Sequence, residues 1–216
     1  MKIGFDNEKY LKMQSEHIRE RIGQFDNKLY IVDGKKLLVW DGTEVKPASE
    51  YAKIPTVTIA KSPNGGGTSY EDLNLIQSGF TELFAGTESD TAYHMTFGGL
   101  DDTTVKAYIL DRSGSWVEKT ENTDFTVDRE NGIINFTTAP GKSPVTGEDN
   151  VKITAYRTVS GYADRINKCC IGTQYGLKGA MDRLFLSGNP DYINQDWFSD
   201  QNDPTYFADT YYSSLG

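Results

Sequence analysis

Hydrophobic residues near the start of the chain recur with the period of an α-helix. Leu11, Ile18, Ile22 and Phe25 follow one another at intervals of seven, four and three residues, a spacing that places them on one helical face. Charged residues occupy the intervening positions. The pattern predicts one N-terminal α-helix over residues 7 to 22.

After this segment the period of the apolar positions changes to that of β-strands. Two apolar runs, 29–32 and 36–40, flank Asp33-Gly34, and a second turn pair follows at Asp41-Gly42. An Asp-Gly pair between two apolar runs is a strong hairpin signal, because these residues adopt turn conformations readily. The sequence therefore predicts a β-hairpin over residues 28–41.

The middle of the chain is rich in turn residues and short apolar runs. Residues 47–70 hold three prolines and the run Gly65–Gly67, with one short strand at 57–60, a composition that predicts a boundary linker. Short strands separated by turns, without helical patterns between them, then predict a small antiparallel sandwich. The predicted strands are 93–97, 105–110, 125–127, 133–137 and 151–156.

Aromatic-rich strands return in the last part of the chain. They are predicted at 168–174, 183–187 and 196–199, and the segment Tyr206–Tyr212 is a further candidate. The hairpins of this part and of 28–41 are of the kind from which propeller blades are built. Because the sequence stops at Gly216 just after a strand-like run, we expect a piece of a longer protein.

These patterns together predict a mainly β fold. It comprises an antiparallel β-sandwich inserted between propeller-like β-hairpin segments, with one N-terminal α-helix. The predicted domains are an N-terminal helix over 1–27, a hairpin region made of 28–54 plus 160–216, and a β-sandwich insert over 55–159.

Composition narrows the classes of partner. The 216-residue chain has a formal net charge of −9, so we expect no nucleic-acid partner, which would require a basic face. No apolar run approaches the roughly 20 residues of a membrane span, and we expect no membrane partner. Adjacent Cys169 and Cys170 rarely satisfy disulfide geometry; we expect one of them in the core and the other half-exposed.

One acidic, aromatic stretch is the candidate for ligand or interface contacts. Carboxylates can flank a scissile sugar bond, and aromatic rings can stack on sugars; aspartates in such turns also serve as caps. No metal-ligand spacing, nucleophile motif or cofactor fingerprint is found in the sequence, so no catalytic residue, metal or cofactor is predicted. The candidate residues are Tyr192, Asp196, Trp197, Phe198, Asp200, Asp203 and Tyr206.

Several stretches resemble a structural protein family of tailed phages and prophages of Gram-positive bacteria. The resemblance covers residues 28–216, whereas residues 1–27 resemble the start of a bacterial family of unknown function. The stretches that carry the phage resemblance are Leu29–Gly34, Leu38–Gly42, Gly65–Glu71, Thr158–Ile166, Asp182–Tyr192 and Asp203–Phe207.

The resemblance implies a non-enzymatic virion protein of the tail or the head–tail region. It would be made in the bacterial cytoplasm and would assemble with other virion structural proteins, with exposed aromatic residues of the Tyr206–Tyr212 segment at the contacts. Two alternatives rest on the acidic, aromatic stretch. One is a carbohydrate-binding module that recognises host-surface glycans, and the other, ranked last, is a glycoside hydrolase.

Overall fold

A computed structural model of the chain describes residues 21–25, 27–176 and 182–214, and of residues 21 and 22 it describes the backbone alone. The described residues fall into two compact units. Unit 1 comprises the described residues up to Lys53 together with those from Ser160 onward, and unit 2 is Ile54–Val159.

Unit 1 begins with a four-stranded antiparallel meander. Every second residue of its two central strands is buried on the same face, including Tyr30, Val32, Leu37 and Val39. Burial of such alternating apolar side chains on one sheet face is the main force that holds a meander together. Its strands are β1 (Arg21–Phe25), β2 (Lys28–Val32), β3 (Leu37–Trp40) and β4 (Val45–Pro47).

The predicted hairpin of β2 and β3 is present, but its turn is longer than a two-residue turn. Gly34 has a positive φ of 75°, and the Asp33 carboxylate accepts the backbone N–H groups of Lys35 and Lys36 at 2.8 and 2.7 Å. An aspartate whose carboxylate accepts the backbone N–H groups two and three residues ahead gives these donors a partner within the turn. The turn therefore depends on the Asp33 side chain as well as on the glycine.

The turn between β3 and β4 makes a testable prediction about pH. The Asp41 carboxylate accepts the N–H groups of Glu44 and Thr43 and the hydroxyl of Tyr51, which lowers its pKa to about 2. Because the folded-state pKa lies below the ordinary value near 4, the stabilisation is present above about pH 4 and is lost as pH falls through about 2.

We expect Asp41→Ala to lower the melting temperature of unit 1 at pH 6, and we expect this difference from the natural chain to shrink as pH falls toward 2. Melting curves of both proteins between pH 2 and 6 measure it. A difference that stays constant over that range would show that the charge of Asp41 does not contribute.

Unit 2 is a two-layer β arrangement. The first layer has β10, β9, β13, β7, β5 and β6 as neighbours in that order, and the second has β11, β12 and β8. The ranges are β5 (Thr56–Lys61), β6 (Thr68–Ser69), β7 (Gly79–Phe84), β8 (Ala92–His94), β9 (Lys106–Leu110), β10 (Trp116–Lys119), β11 (Phe125–Asp128), β12 (Ile133–Phe136) and β13 (Val151–Tyr156).

The strand predicted at 57–60 is confirmed as β5, but the prediction that the residues around it form a boundary linker is wrong for the central part of 47–70. Residues 56–69 form β5, a turn and β6, which lie in the six-stranded sheet, and β5 pairs with β7 in parallel. Gly67 has a φ of 92°, and a Cβ there would lie 2.7 Å from the Thr58 side chain. Gly67, one of the glycines taken for a flexible connection, thus permits a close approach between two strands.

The core of unit 2 contains a series of aromatic rings and one buried ion pair. Phe84 lies 5.3 Å from Tyr93, and Tyr93 lies 5.3 Å from Phe136, with the rings nearly perpendicular in both pairs. Beside them the Lys61 ammonium donates to the Glu82 carboxylate at 2.6 Å, and both side chains are at most 3% exposed. This ion pair connects the two parallel strands, β5 and β7, within the buried core.

The second half of unit 1 is a short helix followed by another antiparallel meander. Leu184 of the meander lies 3.4 Å from the position of a Cβ on Gly23, so the two four-stranded sheets pack against each other within unit 1. The Asn167 side chain also accepts the N–H of Leu37 at 3.1 Å. The elements are α1 (Tyr162–Asn167), β14 (Ile171–Tyr175), β15 (Arg183–Ser187), β16 (Gln195–Phe198) and β17 (Tyr212–Ser214).

The mainly β fold class predicted from the sequence is confirmed. The predicted helix over 7–22 lies outside the described residues except for its last two positions, which belong to β1. Four further strands, β4, β6, β7 and β10, were not predicted, and neither was the helix α1. The parallel pairing of β5 with β7 is a correction to an all-antiparallel sandwich.

Candidate functional site

Two of the seven candidate residues belong to the core of unit 1. Trp197 is fully buried and meets the ring of Tyr192 edge-on at 5.5 Å. Tyr206 is 4% exposed, and the Lys53 ammonium lies 4.9 Å from its ring centre. A buried ring cannot stack on a sugar, so neither Trp197 nor Tyr206 is available as a binding platform in this conformation.

Two of the three candidate carboxylates are engaged by the backbone of turns. Asp203 accepts the N–H and the hydroxyl of Thr205 at 3.0 and 2.6 Å, and Asp200 accepts the N–H of Gln201 at 2.8 Å. The backbones of Asp200 and Asp203 also form an antiparallel bridge. These contacts are typical of aspartates that cap turns. The third carboxylate, that of Asp196, lies on β16 opposite Ser213.

Phe198 leads to a feature that the sequence analysis did not identify as a unit. Its ring stacks on Tyr211 at 5.3 Å and lies 5.8 Å from Phe185, which in turn lies 6.4 Å from Tyr175. Alternation along the strands places all four rings on one side of the sheet, opposite the buried side that carries Trp197. We call the residues Tyr175, Phe185, Phe198 and Tyr211 the aromatic face.

The aromatic face is accessible at one end. Tyr175 is 56% exposed, and Ile171, two strand positions earlier on the same side, is 41% exposed. The other three rings are half-buried. The row of adjacent rings therefore ends in one exposed ring, while Ile171 lies beyond Thr173 on the same side. Apolar surfaces made of adjacent side chains mark interaction sites more often than isolated apolar residues do.

Arg183 lies across this face and holds a positive charge over it. Its guanidinium carbon is 5.3 Å from the ring centre of Phe198 and 5.5 Å from that of Tyr211. One end of the guanidinium donates to the Ser199 carbonyl at 2.7 Å, and the other lies 4.0 Å from the Asp200 carboxylate. Arginine stacked on aromatic rings in this way is a frequent contributor to protein interfaces.

The predicted contact segment Tyr206–Tyr212 is divided by the fold. Tyr206 and Phe207 are buried, whereas Tyr211 belongs to the aromatic face and Tyr212 is 44% exposed on the other side of the sheet. The signal for the rest of the face was present in the predicted strand 183–187, where Leu184 and Leu186 alternate with Phe185. Apolar residues at three successive positions favour a strand that has apolar side chains on both of its sides.

The cysteines have the surroundings of structural residues. Cys169 is fully buried, and burial raises the pKa of its thiol to about 12. Its sulfur donates to the Arg165 carbonyl at 3.2 Å, and Cys170 donates to the Gly188 carbonyl at the same distance. Because the thiolate is the nucleophilic form, Cys169 is an inert thiol near neutral pH.

The part of the chain that the structure describes brings together no group of three or more His, Cys, Asp or Glu side chains that could hold a metal ion. Within the same residues, no helix is both long enough and apolar enough to cross a membrane.

Comparison with known proteins concerns the beginning of the chain. Residues 3–48 match a family model described as the N-terminal part of a domain of unknown function, DUF1846. A UPF0371 protein of Streptococcus sanguinis strain SK36 is 60% identical over 37 residues, which are 17% of this chain and 8% of that protein. UPF0371 proteins of Streptococcus uberis and of Streptococcus pyogenes serotype M5 are 57% and 58% identical over 37 and 36 residues.

These matches correct the resemblance drawn from the sequence. The N-terminal likeness extends to residue 48 and so includes β2 and β3, which had been assigned to the phage family. Nothing in the comparisons indicates a structural protein family of phages, and the resemblance of residues 28–216 to such a family is wrong. The chain spans only 7 to 8% of the length of the curated relatives named above, which are similar to it over that short segment.

Proposed function

We propose that the chain is a non-enzymatic structural protein that acts through protein–protein assembly at the aromatic face. The observation that carries the proposal is the row of four rings on the outer side of the second sheet of unit 1, with Arg183 stacked over two of them. Aromatic residues and arginine are enriched at the energetically dominant positions of protein interfaces.

The partner that fits this face is a protein with a flat, apolar sheet surface. The buried side of the same sheet already packs in this way against the first sheet of unit 1 through Leu184 and its neighbours. A partner sheet on the aromatic face would repeat that packing on the other side. Covering Tyr175 and Ile171 would remove exposed apolar area from water, the main favourable contribution to association.

We propose further that this assembly is a virion, with other virion structural proteins as partners and with synthesis in the bacterial cytoplasm. Sedimentation of large assemblies from the source cells, followed by mass spectrometry, should find the chain at a fixed ratio to the major components.

Tyr175→Lys tests the aromatic face directly. We expect the variant to fold normally, because the side chain is 56% exposed, and to be recovered in assemblies at least about tenfold less than the natural chain, since a buried unpaired charge is costly at an interface. Quantitative mass spectrometry of sedimented and free fractions measures the ratio.

Tyr70→Lys is the matched control, because Tyr70 is an exposed tyrosine of unit 2 with 64% exposure. We expect it to leave incorporation unchanged. Equal incorporation of Tyr175→Lys and of the natural chain would contradict a role for the aromatic face, and recovery of the natural chain in the free fraction alone would contradict assembly itself.

Carbohydrate binding is a second candidate function, favoured by the exposed ring of Tyr175 on the same side of the sheet as Asp196. If this function is present, the natural chain binds host-wall glycans on an array and Tyr175→Ala removes the binding. Trp197 is unsuitable for this test, because it is fully buried.

A further inference from the structure

A second interaction surface lies in unit 2, at the free edge of the six-stranded sheet. Strand β10 is the outermost strand and pairs with β9 alone. The N–H of Asp111 donates to the Ser115 carbonyl, and from this pair the hydrogen-bonded positions alternate along the hairpin. The backbone groups of Val117 and Lys119 therefore face β9, and those of Trp116 and Glu118 face away from the sheet.

Apolar side chains border this edge on both faces of the sheet. Val117 is 41% exposed and lies opposite Ile109 on the core side, where both line an open groove of about 490 Å³. Trp116 is 39% exposed on the other side. Edge strands are usually protected by charges, and in β10 the protecting charges are Glu118 and Lys119.

The charges of Lys152 and Glu118 near this edge determine which partner strand fits it. The Lys152 ammonium lies 4.9 Å from the Trp116 ring and 4.6 Å from that of Tyr108, so the outer side near Trp116 is positive. Glu118, two positions along the same strand, is negative. An antiparallel strand that presents a carboxylate opposite Trp116 and an apolar ring opposite Glu118 matches this edge, and β10 itself is such a strand.

We propose that β10 pairs with β10 of a second copy of this chain in an antiparallel manner, about a two-fold axis at Val117. In this register Trp116 lies opposite Glu118 of the second copy, and Val117 lies opposite its own equivalent. The two outward-facing residues of each strand then form four backbone hydrogen bonds across the axis. Each Glu118 carboxylate approaches the Lys152 ammonium of the other copy.

This surface is separate from the aromatic face, and it does not depend on the function proposed for that face. Four hydrogen bonds, one pair of valines and two Trp116–Glu118 pairs make a small contact, below the area of a stable dimer. The pairing therefore operates at high local concentration, as when other contacts already hold copies together. It joins two six-stranded sheets into one continuous sheet.

The register predicts a charge-swap experiment at Val117. Because the two-fold axis passes through this residue, Val117→Lys places two ammonium groups opposite each other, and Val117→Glu places two carboxylates opposite each other. Each variant alone should raise the dissociation constant of the dimer by about tenfold or more, and an equimolar mixture of the two variants should restore association. Sedimentation velocity over a concentration series, in the Tyr175→Lys background, measures both.

Val145→Lys is the matched control, because Val145 is 45% exposed in a loop of unit 2, and it should leave association unchanged. Circular dichroism establishes that each variant is folded. A chain that stays monomeric up to millimolar concentration would overturn the proposal. Association that either single variant leaves intact, or that the mixture does not restore, would also overturn it.

Discussion

Trp197→Ala is expected to destabilise unit 1 by about 3–5 kcal/mol, the usual cost of removing a large aromatic side chain from a core. Trp197 is fully buried in the core of unit 1 and is the largest of its fully buried side chains. The substitution would leave a cavity and would remove the edge-on contact with Tyr192. Equilibrium unfolding in urea measures the change.

Trp116→Ala is the matched control, because Trp116 is 39% exposed on an edge strand. We expect it to cost no more than about 1 kcal/mol, as most substitutions at exposed positions do. If Trp197→Ala instead left stability unchanged and abolished glycan binding, Trp197 would be a ligand platform, and the assignment of this residue to the core would be wrong.

Glu82→Gln is expected to destabilise unit 2 by about 3 kcal/mol. The substitution keeps the shape of the side chain but leaves the Lys61 ammonium, 3% exposed, without its carboxylate partner. Removing one member of a buried ion pair is costly because the remaining charge stays desolvated and uncompensated. The Thr96 N–H, which donates to the Glu82 carboxylate at 3.0 Å, can still donate to the amide oxygen.

Glu88→Gln provides the comparison at an exposed pair. Glu88 accepts from Lys142 at 2.9 Å, but the two side chains are 77% and 68% exposed, and such pairs contribute at most about 1 kcal/mol. We expect replacement of both buried partners, Lys61→Met with Glu82→Leu, to recover most of the lost stability. Equal effects of Glu82→Gln and Glu88→Gln on the free energy of unfolding would show that burial does not determine how much an ion pair contributes to stability.

Strand positions were predictable where the apolar residues alternate between turn residues. The run 183–187 was predicted with the bounds that β15 has, and 151–156 with those of β13. Such local signals depend on residues that are close in the sequence. The period of two and the turn chemistry of Asp-Gly and Asn-Gly are visible without knowledge of any distant contact.

The strands that were missed depend on tertiary contacts. Strand β7 carries Thr81 and Glu82 among apolar residues, and Glu82 is buried only because Lys61 arrives from a separate strand. The residues after the predicted strand 57–60 were assigned to a linker because they contain Pro63 and three glycines, although Gly67 is required by its close approach to Thr58. Sequence cannot show which glycine lies against another strand.

The candidate site was misjudged for a related reason. The stretch 192–206 contains aromatics and aspartates, but the sequence does not show which side of the sheet is covered by the rest of the unit. Only the side that is left uncovered faces solvent. Trp197 is buried, whereas its neighbour Phe198 lies on the opposite side of the sheet and is only half-buried. The aromatic face combines residues from four separate segments, and only the sheet register brings Tyr175, Phe185 and Phe198 together.

The central claim is that the aromatic face is covered by a protein partner in an assembly, and hydroxyl-radical footprinting of Tyr175 tests it most directly. In the free chain Tyr175 and the control Tyr70 are 56% and 64% exposed, so both should be oxidised at similar rates. In isolated assemblies the account predicts that Tyr175 becomes protected while Tyr70 stays reactive. Equal oxidation of Tyr175 in the free and the assembled chain would contradict the account.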